Sequence, residues 1–149
     1  MAIAADIVPI IGENRVLTHF GLQQIQDNPR VGIRYFINQF KRKVNVSDLV
    51  FVIAPRINGA GRIKHARHAV ALLLSKDQEE AISRSRAIEL FNSERKEIDQ
   101  KITAQALDQI KQNKEEDRFS TVLFQPDWHK GVIGIVASRL IETLSLIHI

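Results

Sequence analysis

Apolar residues recur every three or four positions along most of this chain, which is the spacing of one buried helical face. The pattern predicts helices over residues 13–26, 31–43, 63–75 and 77–113, and one that begins near Gly131 and runs to the end of the sequence. Asp77 and Glu80 stand at the start of the longest helix in the arrangement of a capping box. At its helical rise that element spans roughly 50 Å, which suits a connection between two lobes. A coiled coil is the alternative interpretation of the same pattern.

Two short apolar runs have the character of strands instead. They are Ile3 to Ile10 and Thr121 to Gln125, and Pro126 with Asp127 ends the second. A third run, Leu49 to Ala54, fits a strand or a buried helix equally well. The fold class predicted from these patterns is α/β, predominantly helical. Because the first strand has no partner nearby in the sequence and the last helix has no polar end, we expect the chain to be a piece of a larger protein.

Composition narrows the class of protein. The chain has 149 residues, 44% hydrophobic and 26% charged, which is typical of a soluble globular protein. It contains no cysteine, which excludes disulfides, thiolate metal sites and a cysteine nucleophile. The start of the sequence lacks the pattern of a signal peptide, and no apolar run reaches the length of a membrane span. We therefore expect a cytoplasmic protein without a membrane partner.

Charge is distributed unevenly along the chain, whose net charge is +4. Between Asn28 and Lys76 the only acidic residue is Asp48, whereas acidic residues are frequent from Asp77 to Asp117. A basic segment of this kind suits a polyanion, because basic side chains neutralise phosphates and release counterions. A solvated helical surface is the alternative.

The segment from Trp128 to Arg139 reads as a loop followed by the start of a helix. Gly131 and Gly134 stand where that helix begins, so the backbone can approach a ligand, and the free N–H groups of a first helical turn favour an anion such as phosphate. His129 and Lys130 precede this turn, while Ser138 and Arg139 follow about two turns later. The structural alternative is an ordinary strand-loop-helix unit with Trp128 in its core.

The segment from Pro55 to Arg62 is the second candidate for ligand chemistry. Its proline and two glycines predict an irregular loop ahead of the helix over residues 63–75. Asn58 can donate and accept hydrogen bonds, and Arg56 and Arg62 offer planar forks for phosphate. The alternative is a structural turn that Asn58 holds together.

The chain contains the segments Ala5-Asp6-Ile7-Val8-Pro9, Gly12-Glu13-Asn14-Arg15 and Asn92-Ser93-Glu94-Arg95, in addition to the whole of 55–62 and the whole of 128–139. Together these five segments resemble the RecJ exonucleases of bacteria, which belong to the DHH phosphoesterase superfamily. Their order and spacing also match, over about residues 3–142. Gly59 departs from the family, which usually has alanine there, and residues 144–149 do not resemble it.

The resemblance implies hydrolysis of single-stranded DNA from its 5′ end with Mn²⁺ or Mg²⁺. It implies that residues 1–76 end a catalytic domain with a parallel sheet, that 77–117 form a long connecting helix and hinge, and that 118–149 begin a second α/β domain that binds nucleic acid. Asp6 matches a catalytic, metal-binding aspartate, and carboxylate oxygen is the ligand that such hard cations prefer.

The same resemblance implies which side chains contact DNA or a 5′ phosphate. The first choices are Asn58, Arg62, His129, Ser138 and Arg139, and the second are Arg56 and Lys130. Single-strand-binding protein and a helicase are the partner proteins that it suggests. The family's earlier aspartates, its Asp-His-His signature and its Gly-Gly-His motif are absent from the sequence, so we expect this chain alone not to cleave DNA.

Two other functions stay open at this point. One is a phosphodiesterase of the same superfamily that acts on short oligonucleotides or cyclic dinucleotides. The other is a helical nucleic-acid-binding module without catalysis, in which Asp6 would bind no metal.

Overall fold

A computed structural model of the chain describes residues 2–5, 8–115 and 118–144. These residues form helices joined by turns, and no strand occurs among them. The predicted predominance of helix is therefore confirmed. The elements are α1 (Ala2–Ala5), α2 (Gly12–Asp27), α3 (Val31–Ile37), α4 (Val46–Asp48), the π-helical segment π1 (Leu49–Ile53), α5 (Ala54–Ile63), α6 (Arg67–Leu74), α7 (Gln78–Asn113) and α8 (Ile133–Thr143).

Both predicted strands are wrong in the part of the chain that the structure describes. Residues 2–5 form α1, where alanines with high helix propensity predominate, and residues 8–10 have no regular structure. Residues 121–125 are also irregular, and the carbonyl of Phe124 accepts a hydrogen bond from the Gln109 side chain at 3.3 Å. The physical reason is that a strand needs a neighbouring strand to satisfy its backbone groups, and the described residues offer none.

Two compact units divide the chain, residues 1–92 and residues 93–149. The first half of α7 belongs to the first unit and its second half to the second unit. The domain boundaries after residues 76 and 117 stay a prediction, because compactness alone does not identify a catalytic domain.

The first unit has a core of closely packed helices. Its fully buried side chains include Phe36, Ile53, Leu72 and Ile88, from α3, π1, α6 and α7. Helices α3 and α6 approach so closely that a Cβ atom on Gly32 would overlap the Leu72 carbonyl oxygen and lie 2.9 Å from its carbonyl carbon. The contact therefore depends on the absence of a side chain at residue 32.

The predicted loop over residues 55–62 is wrong, because the chain is helical from π1 through α5. Pro55 cannot donate the backbone hydrogen bond that would continue this helical run, and the wider π-helical turn π1 directly precedes it. Gly59 serves packing rather than a bend, since a Cβ there would lie 3.2 Å from Oδ1 of the buried Asn92. The chain turns only after Ile63, so the next helix begins at Arg67 and not at residue 63.

The single acidic residue of the basic segment, Asp48, is neutralised locally. Its carboxylate accepts hydrogen bonds from both terminal nitrogens of Arg42, at 2.7 and 2.8 Å, and from the Asn45 backbone N–H at 2.8 Å. The Asn45 side chain accepts from the Asp48 backbone N–H in return, which completes a capping box. The Arg42 side chain first, and then the Asn45 N–H, hold the pKa of Asp48 below its usual value, and Asp48 raises the pKa of Arg42.

The prediction of one long helix is confirmed by α7, and the backbone N–H of Glu80 donates to the Asp77 carboxylate at 2.8 Å as predicted. The prediction for α8 is confirmed near its start, but the helix ends at Thr143, before the predicted end, and residues 145–149 lie outside the described residues. Likewise α3 ends at Ile37 rather than at residue 43. None of the described helices combines the length and the apolar character of a membrane span.

The second unit contains the end of α7, the segment 118–132 and α8. Val136 and Leu140 of α8, and Val132 just before it, are buried, as are Ile102 and Ile110 of α7. A cleft of about 690 Å³ remains beside them, and Phe124, Trp128 and Lys130 contribute to its lining. Its walls are mainly apolar, so it suits packing rather than the binding of phosphate.

Candidate nucleic-acid interface

Asn58 and Arg62 lie one helical turn apart on α5, and both are exposed. Residues four apart on a helix share a face, so these two side chains can contact the same ligand. Arg62 lies in the last turn of α5, where the helix dipole is negative. An anion bound here would depend on the side chains and not on free N–H groups of a helix start, as the predicted loop had suggested.

Arg56 lies on a different face of α5 and is engaged within the first unit. Its Nε donates to the two carboxylate oxygens of Glu89 on α7, at 3.0 and 3.1 Å, and its Nη1 donates to the carbonyl of Val52 at 2.6 Å. Both side chains of the ion pair are about a quarter exposed. Arg56 therefore joins α5 to α7, and its guanidinium has less freedom for a ligand than that of an exposed arginine.

The turn before α8 is held by a set of short hydrogen bonds around His129. The backbone N–H of Val132 donates to the His129 carbonyl at 2.9 Å, and the backbone N–H of Gly131 donates to His129 Nδ1 at 3.1 Å. Since Nδ1 accepts, the neutral ring carries its proton on Nε2, which becomes a donor. Lys130 is exposed beside it.

Trp128 anchors the same turn to α7. Its indole N–H donates to the side-chain oxygen of Gln105 at 2.9 Å, and the ring is half-buried. The structural role that the sequence offered for Trp128 is thus present, while Lys130 is exposed and His129 is half-buried.

The first turns of α8 leave open space at the surface. A Cβ atom on Gly134 would meet no other atom within 4 Å, in contrast to Gly32 and Gly59. The Ser138 hydroxyl donates to the Gly134 carbonyl at 3.2 Å within the same helix, and Ser138 is exposed. The backbone and this hydroxyl can therefore be approached from solvent.

Arg139 extends from α8 to a carboxylate on α7. One of its terminal nitrogens, Nη2, lies 3.0 Å from Oδ2 of Asp99, and Nη1 of Arg95 lies 3.7 Å from the same oxygen. The Asp99 side chain is 3% exposed and that of Arg139 is 44% exposed. Arg139 is thus fixed at one edge by a buried charge and solvated at the other.

Asp99 was missed by reasoning from the sequence, which treated α7 as apolar on one face and charged on the other. The buried positions of α7 include three polar residues at intervals of seven, Ser85, Asn92 and Asp99. These three polar positions lie in the same buried stripe of α7 as the apolar residues Ile88 and Ile102. A polar residue in register with a buried stripe was the signal that could have identified Asp99.

No metal site is formed by the described residues. Among residues 2–5, 8–115 and 118–144 no three His, Asp or Glu side chains are grouped as metal ligands. His65 Nδ1 accepts from the Arg67 backbone N–H at 3.1 Å, and the His68 ring packs against Phe91. Asp6, the predicted metal ligand, lies outside the described residues.

The predicted contact residues fall into two groups. Arg56, Asn58 and Arg62 belong to the first unit, whereas His129, Lys130, Ser138 and Arg139 belong to the second. Within the first group, Asn58 and Arg62 share a face and Arg56 does not. Their role in binding stays a prediction.

Comparison with known proteins finds similar sequences over most of the chain, although no family model matches it. The exonuclease RecJ of Salmonella typhimurium is 37% identical over 145 residues, which cover 93% of this chain and 25% of that protein. RecJ of Bacillus subtilis is 35% identical over 141 residues, or 93% of this chain and 18% of that protein. The chain thus spans a quarter or less of the length of these curated relatives.

Solved structures agree with the sequence relatives. The crystal structure of RecJ in complex with Mn²⁺ from Thermus thermophilus has a TM-score of 0.83 and 34% identity, and the match covers 94% of this chain and 21% of that one. A crystal structure of exonuclease RecJ bound to manganese has a TM-score of 0.84 and 33% identity over 97% of this chain and 37% of that one. Over the segment that it covers, the chain is therefore similar to RecJ exonucleases in both sequence and fold.

Proposed function

We propose that this chain is a segment of a metal-dependent exonuclease that hydrolyses single-stranded DNA from its 5′ end in repair and recombination. The observation that carries the proposal is the similarity, over more than nine-tenths of the chain, to proteins named single-stranded-DNA-specific exonuclease RecJ. The oligonucleotide and cyclic-dinucleotide alternatives gain no support from these relatives.

The contribution proposed for this segment is DNA binding. Arg139 is the central residue, because it combines a fixed position with an exposed guanidinium edge. The other proposed contacts are His129, Lys130 and Ser138 in the second unit and Asn58 and Arg62 in the first. Arg56 is assigned instead to holding α5 on α7, because Glu89 and Val52 already engage its guanidinium.

The metal requirement is proposed from the relatives, whose crystal structures include complexes with Mn²⁺ and Mg²⁺. Asp6 is the ligand proposed for this chain. The described residues do not themselves include a group of three or more possible metal ligands. We propose a cytoplasmic enzyme that works beside single-strand-binding protein and a helicase, on the resemblance alone.

The test is the affinity of the 149-residue chain for a fluorescent single-stranded oligonucleotide, measured by anisotropy at several salt concentrations. Arg139→Ala is expected to weaken binding about tenfold, since a charge-assisted phosphate contact is lost. It should also reduce the salt slope by about 0.7, the value for one phosphate on single-stranded DNA. Arg118→Ala is the matched control, because Arg118 is an exposed arginine of the same unit.

Equal affinities and equal salt slopes for the Arg139 and Arg118 variants would contradict the proposed interface. A second arm adds Mn²⁺ and a 5′-labelled strand, and we expect no shortening of that strand by the chain alone. Shortening of the strand that Asp6→Ala leaves unchanged would exclude the proposed role of Asp6.

A further inference from the structure

Asp99 is a charged side chain in the buried face of α7. It is 2% exposed and continues the series of buried positions that includes Ile102 and Ala106. A buried carboxylate is unfavourable unless charges and hydrogen bonds compensate for its lost hydration. The surroundings of Asp99 must therefore supply cationic partners.

Two arginines and one hydroxyl supply this compensation. Arg139 and Arg95 both approach the same oxygen, Oδ2, at 3.0 and 3.7 Å, while the Thr103 hydroxyl donates to Oδ1 at 3.5 Å. The group formed by the three charged residues carries one negative and two positive charges. Both arginines therefore lie close enough to compensate for the buried carboxylate.

The burial of this group is strongly asymmetric. The carboxylate is almost fully covered, whereas the Arg139 side chain is 44% exposed. A guanidinium has five N–H donors in a rigid plane. Among the guanidinium nitrogens of Arg139, only Nη2 has a partner within the described residues. The carboxylate therefore orients the fork while the opposite edge stays available to a phosphate.

We propose that Asp99 is a positioning residue that holds Arg139 in place for a phosphate of single-stranded DNA. The inference rests on the proposed function, since it assigns how one DNA-binding side chain is oriented. Asp99 itself does not contact DNA. Its effect comes from fixing a flexible side chain before the ligand arrives, which lowers the ordering cost of binding.

The experiment is a double-mutant cycle on the 149-residue chain with Asp99→Asn, Arg139→Ala and the combination, measured as affinity for single-stranded DNA. Each single variant is expected to weaken binding about tenfold, and the combination about as much as either one. Asp108→Asn is the matched control, because it removes the same charge from an exposed position of the same helix. It should bind within about twofold of the unchanged chain.

The outcomes separate the two proposals. If Arg139→Ala weakens binding and Asp99→Asn does not, the positioning role is wrong while the proposed function stands. If the two effects multiply to about a hundredfold, Asp99 acts on stability in general and the positioning role is also wrong. If neither variant changes binding, the proposed interface fails, and the positioning role with it.

A second measurement covers the case in which Asp99→Asn does not fold, as judged by its far-UV circular dichroism. In the unchanged chain, NMR of the arginine side chains should show separate, slowly exchanging Nη signals for Arg139, assigned by their loss in Arg139→Lys. The exposed Arg118 should give averaged signals. Averaged signals for Arg139 as well would overturn the proposal.

Discussion

The two units use the same residue types, glycine and arginine, for opposite purposes. In the first unit Gly32 and Gly59 allow helices to approach closely, and Arg56 is engaged by Glu89 and Val52. In the second unit Gly134 faces open space and Arg139 keeps an exposed edge. Glycine and arginine near a helix therefore indicate a binding surface only where they are not already engaged in contacts within the protein.

Two ion pairs that join α7 to another helix make the difference quantitative. In the Arg56–Glu89 pair the two side chains are exposed almost equally, at 25% and 29%. In the Arg139–Asp99 pair the carboxylate is 3% and the arginine 44% exposed. The first pair stabilises a contact between helices, whereas the second presents a cation to solvent.

The largest expected effect comes from closing the space at Gly32. Gly32→Ala should lower the free energy of unfolding by about 3 kcal/mol or more, because its Cβ would overlap a backbone carbonyl that cannot move independently. Urea unfolding followed by far-UV circular dichroism measures this loss. Gly134→Ala, which meets no atom within 4 Å, should change the free energy by less than about 1 kcal/mol.

Gly21→Ala on α2 is the control for the helical propensity of alanine. Its Cβ would also meet nothing within 4 Å, so we expect a gain of up to about 1 kcal/mol. If Gly134→Ala lowered the free energy of unfolding as much as Gly32→Ala, the proposed contrast between a glycine packed against a neighbouring helix and one facing open space would be wrong.

The sequence predicted the long helices well because their signals are local and repeated. The Asp77 cap and the apolar series of α7 lie within one element, so no distant contact had to be known. The same holds for α2, whose predicted span of residues 13–26 differs from the observed one by a single residue at each end.

The predicted strands and the predicted loop failed because they depend on distant contacts. Residues 121–125 have the composition of a strand, but a strand forms only against a neighbour. Pro55, Gly59 and Gly61 suggested an irregular loop, yet the packing of α5 on Asn92 gives Gly59 its role. The role of Asp99 was not predicted for the same reason, since it depends on contact with Arg139, which lies 40 positions later in the sequence.

A smaller effect is expected from removing the Arg56 side chain, which joins α5 to α7 in the first unit. Arg56→Ala should lower the free energy of unfolding by about 2 kcal/mol, because it deletes hydrogen bonds to a half-buried carboxylate. Arg84→Ala removes an exposed ion pair with Glu80 on α7 and should cost only about 0.5 kcal/mol. Urea unfolding of both variants measures the two losses.

DNA affinity decides whether Arg56 only joins α5 to α7 or also contacts DNA. At a temperature where Arg56→Ala is fully folded, its affinity for single-stranded DNA should equal that of Arg84→Ala within about twofold. A loss as large as that expected for Arg139→Ala would place Arg56 in the interface and remove the contrast between the two ion pairs.

The smallest expected effect is the acid sensitivity of the Arg42–Asp48 pair in the first unit. The pKa of Asp48 is lowered in the folded chain, so its contribution to stability is complete above the ordinary value of 3.8 and is lost as the pH falls through the lowered folded pKa. Asp48 raises the pKa of Arg42, so Arg42 stays charged throughout this range. Asp48→Asn cannot ionise, and its urea midpoint should therefore lie below that of the unchanged chain at pH 7 and approach it toward pH 2. If the difference between the two midpoints stays constant from pH 7 to pH 2, the ionised Arg42–Asp48 pair does not stabilise this unit. Of the pairs Arg42–Asp48 and Arg56–Glu89, only the second would then stabilise the first unit.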